Sequence, residues 1–206
     1  MLEPRSALTE QLARGGRDGA HGRRDLKISE VRGWDLAQLT AFGGREAGFA
    51  QALVPVFGAA LPAAPGLQSA GAGGRLLCTT PNQYWLIATD ADLAARLAAA
   101  LPADVGAISA LGHSRVRLAI EGPGVRGLIA RGIAVDLHPD VFPVGAFALT
   151  GLHHTGVLVE RGGAERYELY VWRTYAVSLW EWLIDAALPL GFDVQVEDRR
   201  RASERG

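Results

Sequence analysis

One cysteine, one methionine and one lysine stand in a chain of 206 residues. The lone Cys78 excludes an intrachain disulfide and any zinc site built on two or more thiolates, and it points to a reducing, cytoplasmic compartment. No apolar run reaches the roughly 18 residues of a membrane span, and residues 1–24 lack the hydrophobic stretch of a secretory signal. The sequence therefore predicts a protein that neither crosses a membrane nor is exported by that route. An excess of charge of either sign is also lacking, with a formal net charge of -1. Residues 1–24 and 198–206 each carry +2, which leaves -5 on the body between them. A mildly acidic body has no broad basic face for a phosphate backbone, and the Arg-rich ends lack aromatics that would stack bases, so nucleic-acid binding is not expected.

Catalytic and metal motifs are missing as well. Of five histidines, His21, His113 and His138 stand alone. His153 and His154 are adjacent, and neighbouring side chains on a strand would point to opposite faces, so no metal site is expected. No Gly-x-Ser-x-Gly occurs, and Cys78 follows Leu76 and Leu77 with no cation nearby to activate it, which reads as a buried, inert thiol. Gly71-Ala72-Gly73-Gly74 precedes a strand, the wrong place for a phosphate loop. Glu121-Gly122-Pro123-Gly124 has the right strand-to-helix position, but Pro123 removes a donor and Glu121 repels anions, so a plain turn into a helix is expected.

What is present is a core. Hydrophobic residues make up 49% and charged residues 21%, values of a folded chain. The length fits one large domain or two small, intimately packed ones; the reading adopted is one domain over 25–197 between disordered Arg-rich tails at 1–24 and 198–206. Strands are expected at 26–32, 34–42, 75–79, 83–88, 105–111, 115–120, 147–152, 156–160, 167–172 and 192–196. Helices are expected at 46–60, shortened or kinked by Pro55, and at 91–101, 123–131 and 175–187, with 62–74 a flexible loop. This pattern predicts an α+β fold of antiparallel sheets, with two strand-strand-helix pseudo-repeats.

The helix at 175–187 has more apolar surface than one core contact needs. Leu179, Trp182, Leu183 and Ala186 form one stripe, and Val177, Trp180 and Ile184 extend it well past half the circumference. Either another layer of the same domain or another protein must cover the second stripe, so Val177, Trp180 and Ile184 are the candidate interface.

Two strings are unusual enough to carry a resemblance: Glu-Leu-Tyr-Val-Trp-Arg-Thr-Tyr-Ala-Val-Ser-Leu-Trp-Glu-Trp-Leu from Glu168, and Asp-Leu-His-Pro-Asp-Val-Phe-Pro-Val-Gly from Asp136. With Pro-Asn-Gln-Tyr-Trp-Leu at 81–86, Glu-Gly-Pro at 121–123 and Ala-Arg-Gly at 130–132, they make the chain resemble, over about 26–190, the gamma subunit of bacterial heterotetrameric sarcosine oxidase. That resemblance implies a fold like the folate-binding domain of aminomethyltransferase and a non-catalytic role in assembly or stability. It also implies larger partner subunits that hold FAD, FMN, NAD and tetrahydrofolate. Such a complex oxidatively demethylates sarcosine to glycine, passes the methyl carbon to tetrahydrofolate or releases formaldehyde, and makes peroxide. Asn82 and Gln83 stand where the family commonly has an acidic pair. The alternative is a stand-alone folate-binding or aminomethyl-transfer enzyme of the same fold. It would need an acid in a deep pocket, with Glu121 and Asp136 the nearest candidates.

Overall fold

Strands whose apolar residues alternate with polar ones pair here into two antiparallel sheets. The computed structural model describes residues 5–199. It runs α1 (Thr9–Leu12), β1 (Leu26–Arg32), β2 (Asp35–Ala41), α2 (Glu46–Phe57), β3 (Gln68–Gly71), β4 (Gly74–Thr80), β5 (Gln83–Ala88), α3 (Leu93–Ala100) and β6 (Gly106–Ala110). Then follow β7 (Arg115–Glu121), α4 (Val125–Ala130), β8 (Phe147–Leu152), β9 (Thr155–Gly163), β10 (Arg166–Trp172), a 3-10 turn (Arg173–Tyr175), α5 (Ala176–Ala187) and β11 (Phe192–Asp198). One sheet has the order β11-β1-β7-β10-β9-β8 and the other β3-β4-β5-β2-β6.

The α+β class holds. The chain divides into two compact units, one formed by the residues up to Arg32 together with Ser114–Glu197 and the other by Gly33–His113. A pseudo-repeat is present with different boundaries. The order strand-helix-three strands-helix-strand runs from β2 to β6 and again from β7 to β11. Strand order within the sheets corresponds as well, except that β1 is intercalated between β11 and β7. β1 and β2, adjacent in sequence, belong to different sheets. Both faces of β1 are largely buried, which suits a strand flanked on each side, and its antiparallel partner β7 begins 83 residues after β1 ends.

In the unit of residues 33–113, α2 buries Phe49, Leu53 and Phe57, spaced four apart, against Leu39, Leu76 and Leu86 of the sheet. α2 ends at Phe57, short of the expected bound at 60, and Pro55 lies in its last turn. It sits on the exposed side of that turn, where the carbonyl it cannot serve faces water, and Gly58 caps the helix in the left-handed region (φ 79°). The stretch read as a flexible loop contains β3, which has no buried residue and is held by backbone pairing to β4. Composition gave no sign of it, because an edge strand can be specified by its ladder alone.

In the other unit α4 and α5 pack on one face of the six-stranded sheet. Val125, Leu128, Leu179, Trp180 and Leu183 meet Ile28, Leu118, Ile120, Val159 and Leu169. The tail expected to be disordered at 1–24 is ordered from residue 5. Leu8 is 0% exposed in this same core, with Ala7 and Leu12 packed against it. Arg17 exchanges two backbone hydrogen bonds with Phe192, at 2.9 and 2.8 Å. Gly16 permits that approach, since a Cβ there would lie 2.4 Å from the Phe192 carbonyl oxygen. Few apolar groups suffice when the backbone itself is paired, and the composition argument missed this. At the other end, Asp198 belongs to β11, and residues 200–206 of the second expected tail lie outside the described residues.

Deleting residues 1–17 is accordingly expected to lower Tm by more than about 5 °C, and Leu8→Ala to cost about 2–5 kcal/mol of unfolding free energy. Thermal and urea unfolding of the full chain and both variants would measure this; unchanged midpoints would mean that the segment is not docked.

Candidate functional site

The second face of the six-stranded sheet carries charges where a solvated surface was the simple expectation. On β7 and β10 the residues alternate, so Arg117 and Glu121 share this face with Glu168 and Tyr170, and cross-strand pairing of Glu168 with Glu160 adds β9. Arg117 donates to Glu168 Oε2 from Nε at 2.7 Å and from Nη2 at 2.5 Å, and both side chains are buried. The Tyr170 hydroxyl bridges Glu160 Oε2 at 3.1 Å and Glu168 Oε2 at 3.4 Å. Arg166 takes the other oxygen of Glu168 at 3.0 Å, together with Glu121 at 3.1 Å and Glu197 at 2.8 Å, and Lys27 closes on Glu121 at 3.3 Å. The result is one ionic ladder running from the solvent edge into the buried sheet. Burial would raise the Glu121 carboxyl, but Lys27 and Arg166 outweigh it and hold it below the ordinary value. Burial likewise opposes the Arg166 charge, and Glu197 and Glu168 more than offset it.

Both oxygens of Glu168 are occupied by arginine, and Glu121 is held by two cations, so these groups hold the sheet and have no spare capacity to move a proton. Asp136, the other acid singled out from the sequence, is exposed and accepts the backbone amide of His138 at 2.8 Å, a turn-forming role. Neither acid lies in a deep pocket. The sequence reading missed the ladder, although Arg115-Val116-Arg117 and Glu168-Leu169-Tyr170 already alternate; the burial of both faces is what the pattern could not reveal.

The three residues of the candidate interface on α5 differ in exposure. Trp180 is 3% exposed and belongs to the core, with Val177 and Ile184 half-buried against it. Gln11, Arg14 and Arg17 border the same groove as Trp180 and Ile184, so the chain's own N-terminal segment adjoins the second stripe. Apolar surface remains open at the end of β10: Trp172 is 47% exposed and Tyr175 53%. The Arg115 guanidinium lies 3.0 Å from the centre of the Trp172 ring, and burial lowers its pKa to about 10.

The remaining sites of interest are structural. His153 and His154 are not on a strand; they form the two-residue turn between β8 and β9, both left-handed (φ 45° and 65°), and His153 stacks on Trp182 at 5.6 Å. Among the described residues no group of three or more His, Cys, Asp or Glu side chains is placed to hold a metal. Burial raises the Cys78 thiol pKa. Asn82, also left-handed (φ 63°), donates to Glu46 at 2.8 Å, a contact that a carboxylate at this position would turn into repulsion.

Removing one partner of the buried pair, by Glu168→Gln or Arg117→Met, is expected to cost about 3–5 kcal/mol, and the double replacement by apolar residues considerably less. Denaturant unfolding of the singles and the double would read this coupling, and additive losses would contradict it. Because the Glu121 carboxyl is held below its ordinary value of 4.5, its contribution is fully present above that pH and is lost as pH falls through the lower folded value. Glu121→Gln should flatten the acid limb of the stability profile below pH 4.5 relative to the unmodified chain.

Comparison with known proteins matches residues 43–188 to the sequence model of the sarcosine oxidase, gamma subunit family. The chain is similar to the sarcosine oxidase subunit gamma of Corynebacterium sp. (strain P-1), 30% identical over 89% of this chain and 88% of that one. Its structure is similar to a chain of the heterotetrameric sarcosine oxidase from Corynebacterium sp. U-96, determined in complex with pyrrole 2-carboxylate, with a TM-score of 0.81, 27% identity and coverage of 91% of this chain and 96% of that one. The fold is also shared with the glycine cleavage system aminomethyltransferase T from Bartonella henselae, with a TM-score of 0.59, 17% identity and coverage of 86% of this chain and 49% of that one. On this evidence the chain belongs to the sarcosine oxidase gamma subunit family.

Proposed function

We propose that the chain serves as a non-catalytic subunit of a heterotetrameric sarcosine oxidase, contributing to assembly and stability. The observation that carries this reading is the match to a chain of such a heterotetramer over 96% of that chain's length. Larger partner subunits hold FAD, FMN, NAD and tetrahydrofolate, and the complex oxidises sarcosine to glycine in the cytoplasm. No helix among the described residues is long and apolar enough to cross a membrane, which fits that setting. The placement of Glu121 and Asp136, one locked in ion pairs and one exposed in a turn, gives no support to a free-standing aminomethyl-transfer enzyme. A partner would dock on Trp172 and Tyr175, the exposed aromatics at the end of β10, since Trp180 is already covered.

Expressed alone, the chain is expected to show neither flavin absorbance nor sarcosine-dependent oxygen consumption; co-expressed with the large subunits, it is expected to copurify in stoichiometric amount. Stoichiometric flavin or folate on the chain by itself would overturn this reading. Trp172→Ala should remove on the order of 2 kcal/mol or more of association, about a thirtyfold weaker complex, with little change in the Tm of the isolated chain. Copurification yield together with isolated stability would check this.

A further inference from the structure

A pocket of about 270 Å³ lies where the turn from β7 into α4 meets the hairpin joining β9 and β10, lined by Gly122, Gly124, Arg126, Pro139, Arg161 and Glu165, among others. Its floor is unusual. Arg161 is 8% exposed, so its guanidinium has been taken out of water. Its neighbours are carbonyls: Nη1 donates to Phe142 at 2.9 Å, Nη2 to Ala164 at 3.2 Å and Nε to Gly163 at 3.4 Å. That uses three of the five N–H donors of a guanidinium and none of its charge. Among the described residues Arg161 forms no ion pair with a carboxylate, in contrast to Arg117 and Arg166 on the same sheet. Arg126, exposed on α4 at the same pocket, forms none either. A buried cation without a counter-charge is costly, and two cations lining one cavity repel each other until an anion enters.

A second buried polar group neighbours Arg161 without lining the pocket. Tyr167 lies directly across the ladder from Arg161, so the two side chains share a face, and its buried hydroxyl has no hydrogen-bond partner among the described residues. Burial raises the pKa of that hydroxyl, and the charges of Arg161 and Arg126 partly offset the rise, so both cations lie within electrostatic reach of it. Buried donors of this kind are as a rule satisfied. The wall opposite is backbone: Gly122 adopts φ 127°, and a Cβ there would lie 2.1 Å from the Asp25 carbonyl oxygen, so the turn stays bare. Glu165 at the rim is the opposing charge, and its exposure leaves it screened by solvent.

We infer that this pocket binds the phosphate or carboxylate group of a small anionic molecule, with Arg161 and Arg126 supplying the counter-charge. The size of the cavity fits such a group with a few attached atoms and is small for a whole cofactor. This inference does not depend on the chain being part of a larger complex.

The test is titration of the purified full-length chain at low ionic strength with inorganic phosphate and, separately, with malonate, followed by calorimetry and by two-dimensional NMR. Saturable binding of at least one anion is expected. Arg126→Ala should weaken it at least tenfold without lowering Tm, and Glu165→Gln should tighten it several-fold. Arg96→Ala, an exposed arginine of the other unit that is paired with Asp90 and does not line the pocket, should leave it unchanged. Preference for phosphate would assign a phosphate ester and preference for malonate a carboxylate ligand. Arg161→Lys tests the buried cation itself, and because Arg161 also holds the 142 and 164 carbonyls, the Arg126 and Glu165 variants carry the conclusion if that protein fails to fold. Absence of saturable binding by both anions up to about 10 mM, or binding indifferent to Arg126→Ala, would overturn the inference.

Discussion

Burying the charge of Arg117 constrains much of the first unit. Taking a guanidinium on a central strand out of water is costly unless carboxylates meet it at hydrogen-bond distance, and Glu168 meets Arg117 with two bonds. That contact fixes the relative register of β7 and β10, because a slip of one residue would carry Arg117 to the opposite face among Leu118, Val159 and Leu169. Tyr170 and Arg166 donate to the remaining lone pairs of Glu168, the Tyr170 hydroxyl also reaches Glu160, and Lys27 links β1 into the same array. One face of the sheet is organised by apolar packing under two helices, and the other by a ladder of ion pairs.

How much of this could be read from the sequence varied with the kind of signal. Helices with strong periodicity were legible: Phe49, Leu53 and Phe57 in α2, and Leu179 and Leu183 in α5, lie on the faces that their spacing indicates. Features fixed by backbone pairing were not. Strand β3 has no apolar stripe, and the N-terminal segment is held by Arg17 meeting Phe192 and by a single leucine. The second stripe of α5 was recognised, but its cover was not, since nothing in residues 5–17 marks them as the partner of a helix more than 150 residues later. The partner of β1 was lost for the same reason, as pairing over long separations leaves no local trace.

The strings that carry the family resemblance turn out to be architectural. Asp136 and His138 shape a turn, Leu137 and Phe142 anchor it in the core, and Arg161 grips the Phe142 carbonyl. Leu179, Trp180 and Leu183 of the helical string are core residues. A subunit whose most distinctive residues maintain its own shape is suited to presenting surfaces, and Trp172 with its stacked Arg115 is one such surface.

The interruption of one unit by the other has a consequence for the order of events on the ribosome. Residues 33–113 are contiguous, so that unit can complete its sheet as soon as it emerges. The strand β1 is made first yet its neighbours β7 and β11 come late, the last of them ending at Asp198. For much of synthesis, β1 is therefore an apolar strand with both edges unpaired, held in waiting while more than 80 residues of a self-sufficient fold are made behind it. Early closure of 33–113 shortens the effective loop between β1 and β7, and so lowers the entropy that their late pairing must overcome.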